Sequence, residues 1–115
     1  METVNAKDTR KLRERDLWCW HCSESENLVP HHIKNRGMGG SKVLDNLQNV
    51  ILVCAQYNGR MESDALTAGY ARDYGHKASK FSAPGHPILD TTRRTWYTLD
   101  TQGGKTEVDP PSYLI

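Results

Sequence analysis

This chain has no apolar stretch long enough to cross a membrane as a helix. Its head, Met1 to Arg15, is polar and charged and lacks the apolar centre of a secretion signal. A cytoplasmic location is the expectation. Cysteine is scarce: Cys19, Cys22 and Cys54 are an odd number in an apparently cytosolic chain, a poor disulfide framework. Net charge is also small, +1, so total charge neither supports nor excludes a nucleic-acid partner. There is no internal repeat. At 115 residues the chain fits one domain, 1–115, with a modest core that a bound metal or a partner chain would help to hold.

Charge distribution is more informative than the total. Between Asn27 and Leu44 there is no acidic residue, while Lys34, Arg36 and Lys42 accompany His31 and His32. These three cations are candidates for contact with phosphates, set against the plainer reading of a solvated loop. The head adds Lys7, Arg10, Lys11, Arg13 and Arg15, diluted by Asp8, Glu14 and Asp16.

Hydrophobic periodicity predicts a short surface helix from about Ala6 to Leu17, then Trp18 and Trp20 flanking Cys19 over a small core. Leu28 to Ile33 reads as a short strand. Asn35 to Lys42, with Gly37, Gly39 and Gly40, reads as a loop. Val50 to Cys54 is a continuous apolar run of buried-strand length. From Ala55 the period changes: Tyr57, Met61, Ala65 and Ala68 recur at helical spacing, and Gly69 suits a C-terminal cap. In the tail, Ile88–Leu89, Thr95–Leu99 and Thr106–Val108 are strand-like, with a turn at Gln102-Gly103-Gly104. His21, His76 and His86 have no polar constellation around them and read as surface residues.

Cys19-x-x-Cys22 suggests a metal half-site or a redox pair. A redox pair needs a strand before it and a helix after it, and here the order is helix and then a polar turn. The middle segment carries the stronger signal. His31 and His32 end a strand, Asp45 and Asn49 precede a second strand, and Asn58 lies near the start of the following helix. Such a unit can bring a histidine base and nitrogen or oxygen ligands to one point. Phosphodiester hydrolysis needs that combination: a base for water, which neutral imidazole supplies near pH 7, and a divalent cation for the developing charge. Asp45 reads as a residue that ties down the loop.

These residues resemble the HNH endonuclease family. The matching text is Cys19-x-x-Cys22, Pro30-His31-His32-Ile33, Gly39-Gly40, Asp45-x-x-x-Asn49-Val-Ile-Leu-Val-Cys54, and Asn58. The resemblance implies an α+β fold with a ββα-metal core at about 16–69, an N-terminal helix, and a C-terminal β-hairpin extension at about 70–109. Carried over by position, His31 and Asn58 bind a divalent magnesium or manganese ion, His32 is the general base, and Asn49 orients that base. The implied activity is metal-dependent cleavage of DNA, nicking in a monomer, to 5′-phosphate and 3′-hydroxyl ends.

The family's further cysteines imply a structural zinc position at Cys19, Cys22 and Cys54. Its usual fourth ligand stands here as Tyr57, a poor ligand at neutral pH. Three outcomes follow: completion by His21 or a more distant histidine, completion by water, or loss of the site to packing of Tyr57, Trp18 and Trp20. The weaker likeness of the tail to small bacteriophage HNH proteins implies host cytoplasm, a terminase as partner in DNA packaging, and a monomer or homodimer. Two other classes stand beside the enzyme: a non-catalytic DNA-binding module, and a terminase accessory acting through protein contacts.

Overall fold

Residues 6–34, 46–79 and 81–112 are described by a computed structural model. They form three helices and two antiparallel sheets, the mixed α+β class expected from the sequence. Among them no helix is long and apolar enough to cross a membrane.

Helix α1 covers Ala6–Arg15 and stops two residues short of the expected end. It is less superficial than its composition suggests. Leu12 is fully buried and packs with Leu47, Val50 and Leu52. Strand β1 (Leu28–His32) then pairs antiparallel with β2 (Val50–Cys54), Leu28 opposite Cys54 and His32 opposite Val50. All five residues of β2 are buried, as an unbroken apolar run requires.

A two-stranded sheet is marginal alone, and the segment after α1 supports this one along the open edge of β2. The Leu52 amide donates to Asp16 Oδ2 at 3.0 Å, and the Trp20 amide donates to the Leu52 carbonyl at 3.3 Å. Arg15, read from sequence as one of the basic head residues, is buried here. Its guanidinium pairs with Asp16 at 2.7 Å and donates to the carbonyls of Leu47 and Val50. Burying two charges is tolerable because both are bonded this fully.

Helix α2 (Ala55–Ser63) leaves β2 with no intervening residue, and helix α3 (Ala65–Asp73) follows. The single helix expected over Ala55 to Ala68 is therefore two. Asp64 lies between them in extended conformation (φ −123°, ψ 113°), and its carboxylate accepts from the Leu66 amide and the Thr67 hydroxyl, capping α3. The apolar period hid the break because Met61 of α2 and Ala68 of α3 are both buried. Gly69 lies inside α3. The turn comes later, at Gly75 (φ +80°), where a Cβ would stand 2.3 Å from the Pro87 carbonyl oxygen, so no larger residue fits.

The tail is a three-stranded antiparallel sheet where a hairpin was expected: β3 (Ile88–Asp90), β4 (Thr95–Leu99) and β5 (Lys105–Val108). Its first turn docks on the Cys19–Cys22 segment. The Thr91 amide donates to the Trp20 carbonyl at 3.1 Å, and the Thr91 hydroxyl donates to the His21 carbonyl. Arg93 bonds Asp90 and Ser23 and lies 3.9 Å over the Trp18 ring.

Candidate functional site

The antiparallel pair and α2 bring the middle-segment residues together. His31 is buried, and its Nε2 donates to the His76 carbonyl oxygen at 2.8 Å. A carbonyl can only accept, so the ring proton sits on Nε2 and Nδ1 keeps a lone pair. The Asn58 side chain, one turn into α2, lies close enough to the same imidazole to influence its protonation. Cys54, not Asn58, is the N-cap of α2, its sulfur accepting from the Tyr57 amide at 3.4 Å. The capping explanation for Asn58 is thereby removed, and its carboxamide faces a histidine 27 positions earlier in the chain (58 − 31).

Asn49 is buried and bonds backbone on both sides of its amide. Its Oδ1 accepts from the Lys34 amide at 2.8 Å, and its Nδ2 donates to the Lys34 carbonyl at 3.0 Å. Together with the Ile33 amide bonded to the Asn49 carbonyl at 2.8 Å, this fixes the chain immediately after His32. His32 is half-buried at the end of β1. Lys34 is placed differently from the expected open phosphate contact. It is 6% exposed, and its ammonium donates to the Ser82 carbonyl at 2.7 Å. Arg36, Lys42, Asp45 and the Gly39-Gly40 pair lie outside the described residues.

The three cysteines converge. Their sulfurs all lie within 4.8 Å of one another, with Cys22 and Cys54 3.8 Å apart. No disulfide joins them; Cys19 and Cys54 are buried and Cys22 is exposed. Among the described residues they are the group of His, Cys or carboxylate side chains placed to share a metal such as zinc. Burial pushes the Cys19 thiol up to about 12, so an incoming ion must displace a firmly held proton.

Tyr57 stands beside the cluster with neighbours that the sequence did not indicate. The His21 ring stacks on it at 4.0 Å, nearly parallel, and its hydroxyl donates to His76 Nδ1 at 2.6 Å. The Trp18 and Trp20 rings are engaged elsewhere, under Arg93 and against Tyr97.

His76 corrects the surface reading made from sequence: it is wholly buried. Nε2 donates to the Leu89 carbonyl at 2.8 Å while Nδ1 accepts from Tyr57, so both ring nitrogens are satisfied in the neutral form. Its one sequence signal was its place just beyond a helix, after Tyr74-Gly75. His86 is half-buried, with Nε2 donating to the Gly75 carbonyl at 3.0 Å.

Burial, the largest influence in each case, lowers the pKa of His21, His31 and His76 from the usual imidazole range, His76 to about 3. For His31 this keeps Nδ1 unprotonated at neutral pH, as a metal ligand must be. It also predicts acid sensitivity. The unfolded chain takes up these protons near pH 6.5, whereas native His76 resists until about pH 3. The stability of the neutral form is therefore complete above pH 6.5 and is lost as pH falls below it, at up to about 1.4 kcal/mol per pH unit for each such proton. Urea denaturation between pH 7.5 and pH 5, before carboxylates titrate, should show this slope, and His76→Gln should reduce it. A flat profile over that range would show that no histidine is held neutral.

Comparison with family models, with curated proteins and with solved structures gives no match to this chain. The functional reading therefore rests on the residues and their geometry.

Proposed function

We propose that this chain is a metal-dependent DNA endonuclease of the HNH type, with β1, β2 and α2 as its ββα-metal core. The observation that carries the reading is the pairing of His31 with Asn58 across β1 and α2, at the positions the family resemblance marks as metal ligands. The donor set fits a divalent cation such as magnesium or manganese. An imidazole Nδ1 and a carboxamide oxygen supply a few ligands, and substrate phosphate and water supply the others. When bound, such a cation stabilises charge on the scissile phosphate and the departing 3′-oxygen.

His32 is the general base. Successive strand residues point to opposite faces, so a phosphate served by both histidines lies across the outer edge of β1. Asn49 holds the backbone after His32 and so sets where that imidazole leaves the strand. The positive charge for DNA comes from α1 (Arg10, Lys11, Arg13) and from the 35–45 segment with Arg36 and Lys42. Lys34, held by Ser82, shapes the strand exit.

Supercoiled plasmid incubated with the protein and magnesium or manganese should become nicked before it becomes linear, because a monomer carries one such site. Chelator should stop the reaction and added metal should restore it. Asn58→Ala should raise the metal concentration required, by about 10-fold or more for loss of one ligand from so sparse a set. Retained DNA binding with no metal-dependent cleavage would instead place the chain among non-catalytic DNA-binding modules.

A further inference from the structure

We infer that His76, clamped by Tyr57, is a positioning residue for His31, and that the C-terminal part of the chain is thereby built into the metal site. The inference rests on the nuclease reading for its catalytic meaning but not for its geometry.

His76 lies outside the segment that carries the family-like motif, 45 positions after His31 (76 − 31). Its backbone carbonyl is the acceptor for His31 Nε2. That carbonyl is held still from three directions. The His76 amide donates to the Ala71 carbonyl at the end of α3 at 2.8 Å; Tyr57 of α2 donates to its Nδ1; and its Nε2 donates to Leu89 of β3. Gly75, where a side chain would strike Pro87, fixes the approach of the chain.

A wholly buried histidine is a costly choice for a small core unless both nitrogens are bonded, and here both are. An apolar residue would fill the volume and keep the backbone bond to Ala71, but would lose the two side-chain anchors on Tyr57 and Leu89. With the carbonyl fixed, the proton of His31 is confined to Nε2 and the lone pair to Nδ1. A metal-binding histidine needs this arrangement, since the bond made by one ring nitrogen decides which electron pair the other presents. Tyr57 neighbours Asn58 on α2, so one helix carries both the carboxamide that meets His31 and the hydroxyl that steadies His31's acceptor.

The test is long-range proton–nitrogen NMR of the imidazoles at neutral pH, on the whole chain, with manganese titrated in. In the parent, His31 should show protonated Nε2 and bare Nδ1, and the Tyr57 hydroxyl proton should be protected from exchange and coupled to His76 Nδ1. Tyr57→Phe keeps the ring but removes that donor. In folded Tyr57→Phe, His31 should become a mixture of tautomers, and manganese broadening at His31 should need about 10-fold more metal, the lower end for loss of a group that orients a ligand. An unchanged tautomer and manganese titration in folded Tyr57→Phe overturns the inference. So does a parent protein whose His31 carries its proton on Nδ1, a result that stands even if the variant does not fold. Failure of the nuclease reading looks different: the parent neither cleaves plasmid nor shows manganese broadening at His31, while loss of the Nε2 tautomer in Tyr57→Phe still supports the positioning role.

Discussion

On the nuclease reading proposed above, replacing His32 by alanine should lower the rate of DNA cleavage by about 10²–10⁴, the range that a positioned base contributes, with DNA affinity little changed. The separation is expected because affinity on that reading would come from cations on phosphates, whereas His32 sits at the end of a strand whose exit is fixed by backbone bonds. Asn49 holds Lys34 N and O, and Ile33 pairs with the Asn49 carbonyl, so the substitution leaves the scaffold intact. His32 is only half-buried, which limits the packing lost. Single-turnover cleavage and fluorescence anisotropy on one duplex, in the same buffer, measure the two effects independently. Cleavage within tenfold of the parent would assign the base to another residue. Equal loss of binding and cleavage would make His32 a DNA contact.

Tyr57→Cys should have the largest effect on stability, with a sign that depends on metal. In chelator the variant loses the aromatic ring from a buried site, at a cost of about 3–5 kcal/mol by comparison with other large-to-small core changes. It also leaves His76 Nδ1 without its donor, at roughly 1–3 kcal/mol more. A small domain has only about 5–15 kcal/mol in total, so the metal-free variant should melt far below the parent. Zinc should reverse this. Three sulfurs already lie within 4.8 Å of one another beside position 57, and a fourth thiol completes a tetrahedral set whose binding energy is folding energy. Thermal melts of parent and variant, each with zinc and with chelator, give the four values needed. The parent should change little between the two conditions. A parent that melts far lower in chelator would show that the three cysteines already hold a structural ion. A variant as stable as the parent in chelator would show that the stack of Tyr57 on His21 and its bond to His76 contribute nothing.

The elements most legible in the sequence were those with an unambiguous period. Val50 to Cys54 reads as a buried strand and is one, and Thr95 to Leu99 is β4 at the expected bounds. The strand ending in His31-His32 and the helix carrying Asn58 were equally plain. Less legible were places where one residue decides. Asp64 breaks a continuous apolar period by capping a new helix, and an aspartate inside a helical pattern does not announce this. Arg15 and Asp16 read as ordinary surface charge because their partners are backbone groups of β2 and of the segment just before it.

The sequence by itself determined the mixed α+β class, two short strands with a helix after the second, and the residue types available for metal and base chemistry. All three depend on local period and side-chain identity, which a linear text records. The meeting of the three cysteines was implied by the family resemblance and is seen; only the tertiary structure decided that Tyr57 bonds His76 and that His31 bonds the carbonyl of a residue 45 positions away (76 − 31). The reason is physical. The acceptor for His31 is a backbone carbonyl, a group that every residue carries, so no pattern of side chains marks which one will be used; that is settled by where packing and the turn at Gly75 bring the chain.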